Sequence, residues 1–151
     1  MINVVQLRDL ITRTLRNYDL YSEAAVNLLL GTCLQESRGG TYLRQMTNTF
    51  DIGTHAVGVM QMEKATFDWL KEKYWYKLGR YHDSVEFAAL EYDLRLSTVF
   101  ARLRYLADPQ PLPEAHDIVG LGEYWKRVYN TIHGAGTVEE FVDIYTKYAE
   151  N

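Results

Sequence analysis

A carboxylate at the end of a leucine-rich segment is the side chain best suited to acid–base chemistry. The stretch LLLGTCLQESRGG, residues 28–40, carries Glu36 shortly before two glycines. Apolar neighbours and the negative end of a helix dipole would both raise the pKa of this carboxyl group. A carboxyl group that keeps its proton near neutral pH is what a general acid needs to protonate a glycosidic oxygen. The alternative is that Glu36 pairs with Arg38 or Arg44 at a solvated helix end.

A second candidate segment is HAVGVMQMEKAT, residues 55–66. Gly58 before the Val-Met-Gln-Met run predicts a tight turn in which the backbone closely approaches another group. Gln61 carries a neutral amide, which can donate to and accept from sugar hydroxyls and N-acetyl groups. The alternative is that Met60 and Met62 simply form an edge of the core.

These two segments and two later ones resemble the motifs of the soluble lytic transglycosylase and goose-type lysozyme superfamily. QES at 35–37 and AVGVMQMEKAT at 56–66 are similar to the family's first two motifs, the second of which is Gly-Leu-Met-Gln. TVFARLRYLAD at 98–108 is similar to its long helix, and VYNTIHGAGTV at 128–138 to its third motif. The four matches occur in the family's order, which makes the set more specific than any one motif. The chain looks like a bacteriophage member.

The resemblance implies a function and a set of site residues. Glu36 aligns with the catalytic acid, which cleaves the β-1,4 bond between N-acetylmuramic acid and N-acetylglucosamine and then acts as a base. The tyrosine hydroxyl of the third motif approaches that acid, and the serine beside the acid supports the local backbone. The substrate-binding positions implied are Gln61, Tyr129, Asn130, Ser37, Gly58 and Met60.

Departures from the family pattern keep three functions open. Residues 131–133 expand the third motif, and Lys64 stands where proline is usual. Transglycosylation needs one carboxyl group, whereas hydrolysis ordinarily uses two. Asp51 is the best second carboxylate, although an aspartate in a loop more often bonds its own backbone. We therefore expect a peptidoglycan lytic transglycosylase, ahead of a lysozyme-type hydrolase and of a non-enzymatic virion structural or cell-wall-binding module.

Composition limits the classes of partner. The 151 residues predict one domain, residues 1–151, and 47% hydrophobic with 24% charged residues is ordinary for a globular protein. A formal charge of −4 argues against a nucleic-acid partner. No run approaches the roughly 20 apolar residues of a membrane span, and the N-terminus lacks the features of a secretory signal. The expected partners are peptidoglycan glycan strands and, in a virion, other particle proteins. The protein would therefore reside in the host cytoplasm before lysis or in the particle.

Other reactive side chains predict no cofactor and no metal. Cys33 lies among leucines, where a small buried hydrophobe is expected rather than a nucleophile. The histidines have no spacing typical of a ligand pair. The run KEKYWYKLGRYH, residues 71–82, could stack on sugars or contact an anionic polymer. The expected alternative is that its aromatic rings pack inward while its lysine ammonium groups stay in solvent. The histidines are His55, His82, His116 and His133.

The elements that must position Glu36 are helical almost throughout. Caps at Asn3, Ser22 and Thr137 predict helices that start beside them. A capping box at Asp83 predicts a long helix ending near Ala107. Further helices are predicted over residues 64–76 and around 118–128, and residues 41–57 are predicted to be an ordered loop or a short β-ribbon. The expected fold is all-α and lysozyme-like, with at most a small β-ribbon.

Overall fold

Seven α-helices form the fold of the computed structural model, which describes residues 1–150 except for the side chains of residues 80–82. The predicted all-α class is confirmed: the described residues contain no β-strand, and two isolated bridges, Arg44 to Val57 and Val57 to Met62, are the only β pairing among them. The helices are α1 Val4–Asn17, α2 Glu23–Ser37, α3 Lys64–Lys73, α4 Trp75–Leu78, α5 Leu94–Leu106, α6 Ile118–Trp125 and α7 Val138–Ala149. Two 3₁₀ helices, Gly79–Ser84 and Phe87–Glu91, precede α5, and a π-helical turn, Lys126–Asn130, follows α6.

Three helices begin at the caps predicted from sequence. The side chains of Asn3, Ser22 and Thr137 each accept a hydrogen bond from the backbone N–H three residues further on, at 3.1, 3.0 and 3.2 Å. Each bond satisfies one of the N–H groups that a helix start leaves without a partner. The cap chemistry is local, so α1, α2 and α7 start where the sequence predicts.

The long helix predicted from Asp83 to Ala107 is wrong. The chain instead forms the 3₁₀ helix Phe87–Glu91, and α5 begins only after Asp93, whose carboxylate accepts from the Leu96 N–H at 2.9 Å. The Leu90 carbonyl accepts the Ser97 hydroxyl at 2.8 Å and lies directly against Gly58. These tertiary contacts hold the segment outside the helix. The helix predicted over 64–76 is likewise split, because α3 ends at Lys73.

The core of this single compact domain is built around α2, which is buried on nearly all sides by α1, α5, α6 and α7. Phe141 of α7 fits against two glycines: a β-carbon at Gly31 would overlap its ring, and one at Gly122 would lie 3.1 Å from it. Because glycine has no side chain, α2 and α6 approach α7 closely at Gly31 and Gly122. This packing places the end of α2 beside α6. No helix among the described residues is long and apolar enough to span a membrane.

Candidate functional site

Glu36 lies in the last turn of α2 and is partly buried. Its Oε1 accepts a hydrogen bond from the indole Nε1 of Trp125 at 3.3 Å. Burial raises the pKa of Glu36 from 4.5 to about 7, and the indole bond acts in the opposite direction because it stabilises the carboxylate. At neutral pH both the protonated and the ionised forms are therefore populated.

The two arginines considered as ion-pair partners of Glu36 point elsewhere. Arg38 takes a left-handed conformation at the end of α2, with φ of 52°, and its guanidinium lies 5.9 Å from the Tyr42 ring centre. Arg44 pairs with Glu91 at 3.5 Å. Within the described residues, the bonded partner of the Glu36 carboxyl group is therefore an uncharged donor.

Trp125 is held rigidly where α6 ends. Its ring is fully buried and stacks on Phe141 with ring centres 5.5 Å apart. The backbone of Gly136 packs on its edge, where a β-carbon would lie 2.6 Å from the ring. The sequence predicted a helix around residues 118–128 but not the contact between Trp125 and Glu36. A signal was available, since a buried indole N–H normally finds an acceptor.

Tyr129 lies in the π-helical turn that extends α6. The Thr131 N–H donates to the Lys126 carbonyl at 2.7 Å, which closes this wider turn, and such turns are frequent at functional sites. The Tyr129 hydroxyl donates to the Met60 carbonyl at 2.6 Å. Burial, followed by the negative charge of Glu36, holds the pKa of Tyr129 well above its usual range. The tyrosine is thus a neutral hydroxyl close to the candidate acid.

The turn from Gly58 to Met62 faces Tyr129. Gly58 has a φ of +84°, and a β-carbon there would overlap the Leu90 carbonyl, so the close backbone approach predicted at this glycine is present. Gln61 also has a positive φ, of 48°, and its side-chain Nε2 donates to the Gly58 carbonyl at 2.9 Å. The Met60 side chain is buried in the core, so this residue meets the site only through its carbonyl group.

A cavity of about 300 Å³ lies between this turn and the π-helical turn. It brings together three of the predicted binding residues, Gln61, Tyr129 and Asn130. Glu36 is not among the described residues that line the cavity, and Tyr129 connects the two. The full lining is Gln61, Met62, Glu63, Thr66, Arg104, Tyr129, Asn130, Thr131 and His133.

Two other predicted residues lie apart from this cavity. Ser37 is fully buried; its hydroxyl donates to the Cys33 carbonyl at 3.1 Å and accepts from the Gly40 N–H at 2.9 Å. It therefore braces the end of α2 and faces no open space. Asp51 is exposed, and its Oδ1 accepts from the Gly53 N–H at 2.8 Å, which is the self-bonded turn considered as its alternative role.

Cysteine and histidine side chains are dispersed. Cys33 is buried, and burial raises the pKa of its thiol to about 11, which opposes nucleophile chemistry. His55 bonds within its own loop, His116 lies 3.1 Å from Glu23, and His133 lines the cavity. The His82 side chain lies outside the described residues. No three His, Cys, Asp or Glu side chains of the described part are grouped as metal ligands would be.

The aromatic run at 71–82 departs from the expected inward packing. Tyr74 is buried, but Trp75 and Tyr76 are 61% and 57% exposed. The break between α3 and α4 at Tyr74 turns that ring inward and the next two outward. The prediction of inward-packed rings is wrong for these two residues.

Comparison of the chain with protein-family models, curated proteins and solved structures finds no match. A carboxyl group able to gain or lose a proton near pH 7 bonds an indole donor and lies close to a neutral tyrosine, and that tyrosine also lines the polar cavity. Such an arrangement can transfer a proton to a polar ligand bound next to it.

Proposed function

We propose that the protein is a lytic transglycosylase that cleaves the β-1,4 bond between N-acetylmuramic acid and N-acetylglucosamine in peptidoglycan. The observation that carries the proposal is the Glu36 carboxyl group, whose pKa burial raises to about 7 and which lies close to Tyr129 on the wall of the polar cavity. A single group that must first donate and then accept a proton works best with a pKa near the working pH.

The reaction needs Glu36 in two roles. As acid, Glu36 gives its proton to the glycosidic oxygen while the bond from that oxygen to the anomeric carbon of muramic acid breaks. As carboxylate, it then takes the proton of the muramic C6 hydroxyl, whose oxygen bonds to the same anomeric carbon. The product is a 1,6-anhydro sugar, and no water is consumed. Trp125 favours the intermediate carboxylate through its indole N–H.

The exposure and hydrogen bonding of Asp51 favour this reaction over hydrolysis. A hydrolase ordinarily uses a second carboxyl group, about 5 to 9.5 Å from the first. Asp51, the best second carboxylate in the sequence, is exposed and bonds the backbone of its own turn. The partners expected for the proposed enzyme are glycan strands, reached from a virion or after release from the host cytoplasm.

Digestion of purified peptidoglycan followed by mass spectrometry tests the proposal. We expect 1,6-anhydromuropeptides from the wild-type protein and none from Glu36→Gln. Reducing ends without anhydro products would replace the proposal with a hydrolase. Sedimentation of the protein with peptidoglycan, without any cleavage, would replace it with a wall-binding or virion structural module. Asp51→Asn serves as the matched control, since it removes the other candidate carboxylate.

A further inference from the structure

Arg104 brings a positive charge to the cavity wall. It lies in the last turn of α5, is partly buried, and its guanidinium carbon lies 5.5 Å from the centre of the Trp69 ring. The nearby carboxylate of Asp108 forms an ion pair with Arg127. The Nη1 and Nη2 of Arg127 donate to the two oxygens of that carboxylate at 2.7 and 3.2 Å. Among the described residues, Arg104 therefore faces the cavity without a bonded carboxylate.

A second donor group on the same wall is held in a fixed orientation. The Oδ1 of Asn130 accepts from the Lys126 ammonium at 2.7 Å, and that ammonium also donates to the Gly134 carbonyl at 3.0 Å. The backbone of Gly134 packs directly on the Asn130 amide, where a β-carbon would overlap it. Because its oxygen is engaged, Asn130 has its amide N–H groups left for a ligand.

The acceptor groups of the cavity do not offset these donors. Glu63 is exposed and makes no ion pair with Arg104 within the described part of the chain. Gln61 donates its side-chain Nε2–H to the Gly58 carbonyl, and its neutral Oε1 makes no bond to Arg104 or Asn130 among the described residues. A partly buried guanidinium with a neighbouring amide donor is suited to an anionic, planar acceptor, because its N–H groups form a fixed fork.

We propose that this cavity binds a carboxylate group of the substrate strand, with Arg104 and Asn130 as its donors. This inference rests on the proposed function, since it names the part of peptidoglycan that the site beside Glu36 recognises. A volume of about 300 Å³ is at the low end for ligand pockets, so it suits a short side group better than a further sugar chain. Two sources carry that chemistry: the lactyl group of muramic acid where the peptide is missing, and the stem peptide where it is present.

Cleavage kinetics on two kinds of glycan strand distinguish the two sources of the carboxylate. Peptide-free glycan strands expose the lactyl carboxylate, and intact strands carry stem-peptide carboxylates. Chitohexaose, which has neither group, is used as a competing ligand. For Arg104→Gln we expect KM to rise roughly ten- to a hundredfold on the strand that supplies the carboxylate, as for the loss of a charged hydrogen bond. The inhibition constant of chitohexaose should change much less, and Arg104→Lys should recover part of the loss because it keeps the charge.

An equal loss of affinity for both strands and for chitohexaose would overturn the inference. The control is Arg13→Gln, which removes the same charge from an exposed arginine on α1 that pairs with Asp9. Thermal unfolding of each variant checks that it is folded.

A binding readout keeps this inference separate from the proposed function. The wild-type chain is titrated with N-acetylmuramic acid and with N-acetylglucosamine while the NMR signal of the Arg104 side-chain N–H is followed. A shift of this signal and of the Asn130 side-chain amide signals with N-acetylmuramic acid alone, with the Asn130 shift lost in Arg104→Gln, would support the carboxylate site even if no strand is cleaved. Equal responses to both sugars, together with no shift on addition of a free stem peptide, would overturn it, whatever the cleavage result.

Discussion

Two carboxylates only fifteen positions apart in sequence lie in opposite environments. Glu36 ends a buried helix, is partly enclosed, and accepts its hydrogen bond from a fully buried indole. Asp51 lies in an exposed loop and accepts from the backbone two residues further on. The comparison teaches that the surroundings of a carboxyl group matter more than its residue type, since it is burial that raises the pKa of Glu36. Activity, stability and pH dependence should each reveal that difference.

The largest expected difference is in activity. Replacing Glu36 with Gln keeps the shape of the side chain but removes the proton, so the cleavage rate should fall by roughly 10²- to 10⁴-fold. Asp51→Asn should stay within about twofold of wild type, because an exposed turn residue contributes little. Release of soluble muropeptides from labelled peptidoglycan measures both. Equal losses in the two variants would remove the distinction between the carboxylates.

The free energy of unfolding should also distinguish Glu36 from Asp51, and the difference should depend on pH. Because the folded pKa of Glu36 is raised from 4.5 to about 7, folding favours the protonated form, and this stabilisation is complete below about pH 4.5 and lost as pH rises through 7. The shift corresponds to about 3 kcal/mol. Glu36→Gln, neutral at every pH, should therefore match wild type near pH 4 and exceed its free energy of unfolding by up to that amount at pH 8.

Urea unfolding at the two pH values measures this effect. Asp51→Asn is the matched control, since it makes the same chemical change at an exposed site. A stability gain of similar size in that variant would assign the effect to surface charge instead of burial. A Glu36→Gln variant less stable than wild type at pH 8 would contradict the raised pKa.

A smaller effect is expected at the indole that holds Glu36. The Trp125 hydrogen bond lowers the pKa of Glu36 against the larger effect of burial. Trp125→Phe should therefore raise that pKa and move the alkaline limb of the pH–rate profile upward by about one unit. Trp75→Phe, at an exposed site, is the control for the same substitution. If the alkaline limb of Trp125→Phe lies at the same pH as in the wild type, or at a lower pH, the indole does not act on the carboxyl group.

Much of the fold could be predicted because its signals are local. Asn3, Ser22 and Thr137 cap their helices through bonds to backbone groups three residues away, so a short window contains the relevant chemistry. The start of α5 could not be predicted in that way. The segment before it is held by contacts between Leu90, Ser97 and the distant Gly58. A capping box at Asp83 carries no information about those contacts.

The candidate site follows the same rule. Glu36 was identifiable because its apolar helix and the glycines after it are neighbours in sequence. Trp125 and Arg104 were missed, since they reach the site only when α6 and α5 pack beside α2 and the Gly58 turn. Residues that hold a site in place are dispersed along the chain, so packing reveals them and local spacing does not.

The smallest predicted effect concerns the turn at Asp51. Its Oδ1 bond to the Gly53 N–H is exposed, so Asp51→Ala should cost about 0.5 to 1 kcal/mol of unfolding free energy. Asp51→Asn keeps an acceptor oxygen in the same place and should recover most of that loss. Urea unfolding of the wild type, Asp51→Ala and Asp51→Asn at one pH measures these differences in free energy. If Asn recovers nothing, the negative charge of Asp51 matters more than its turn, and the contrast with Glu36 would need another physical basis.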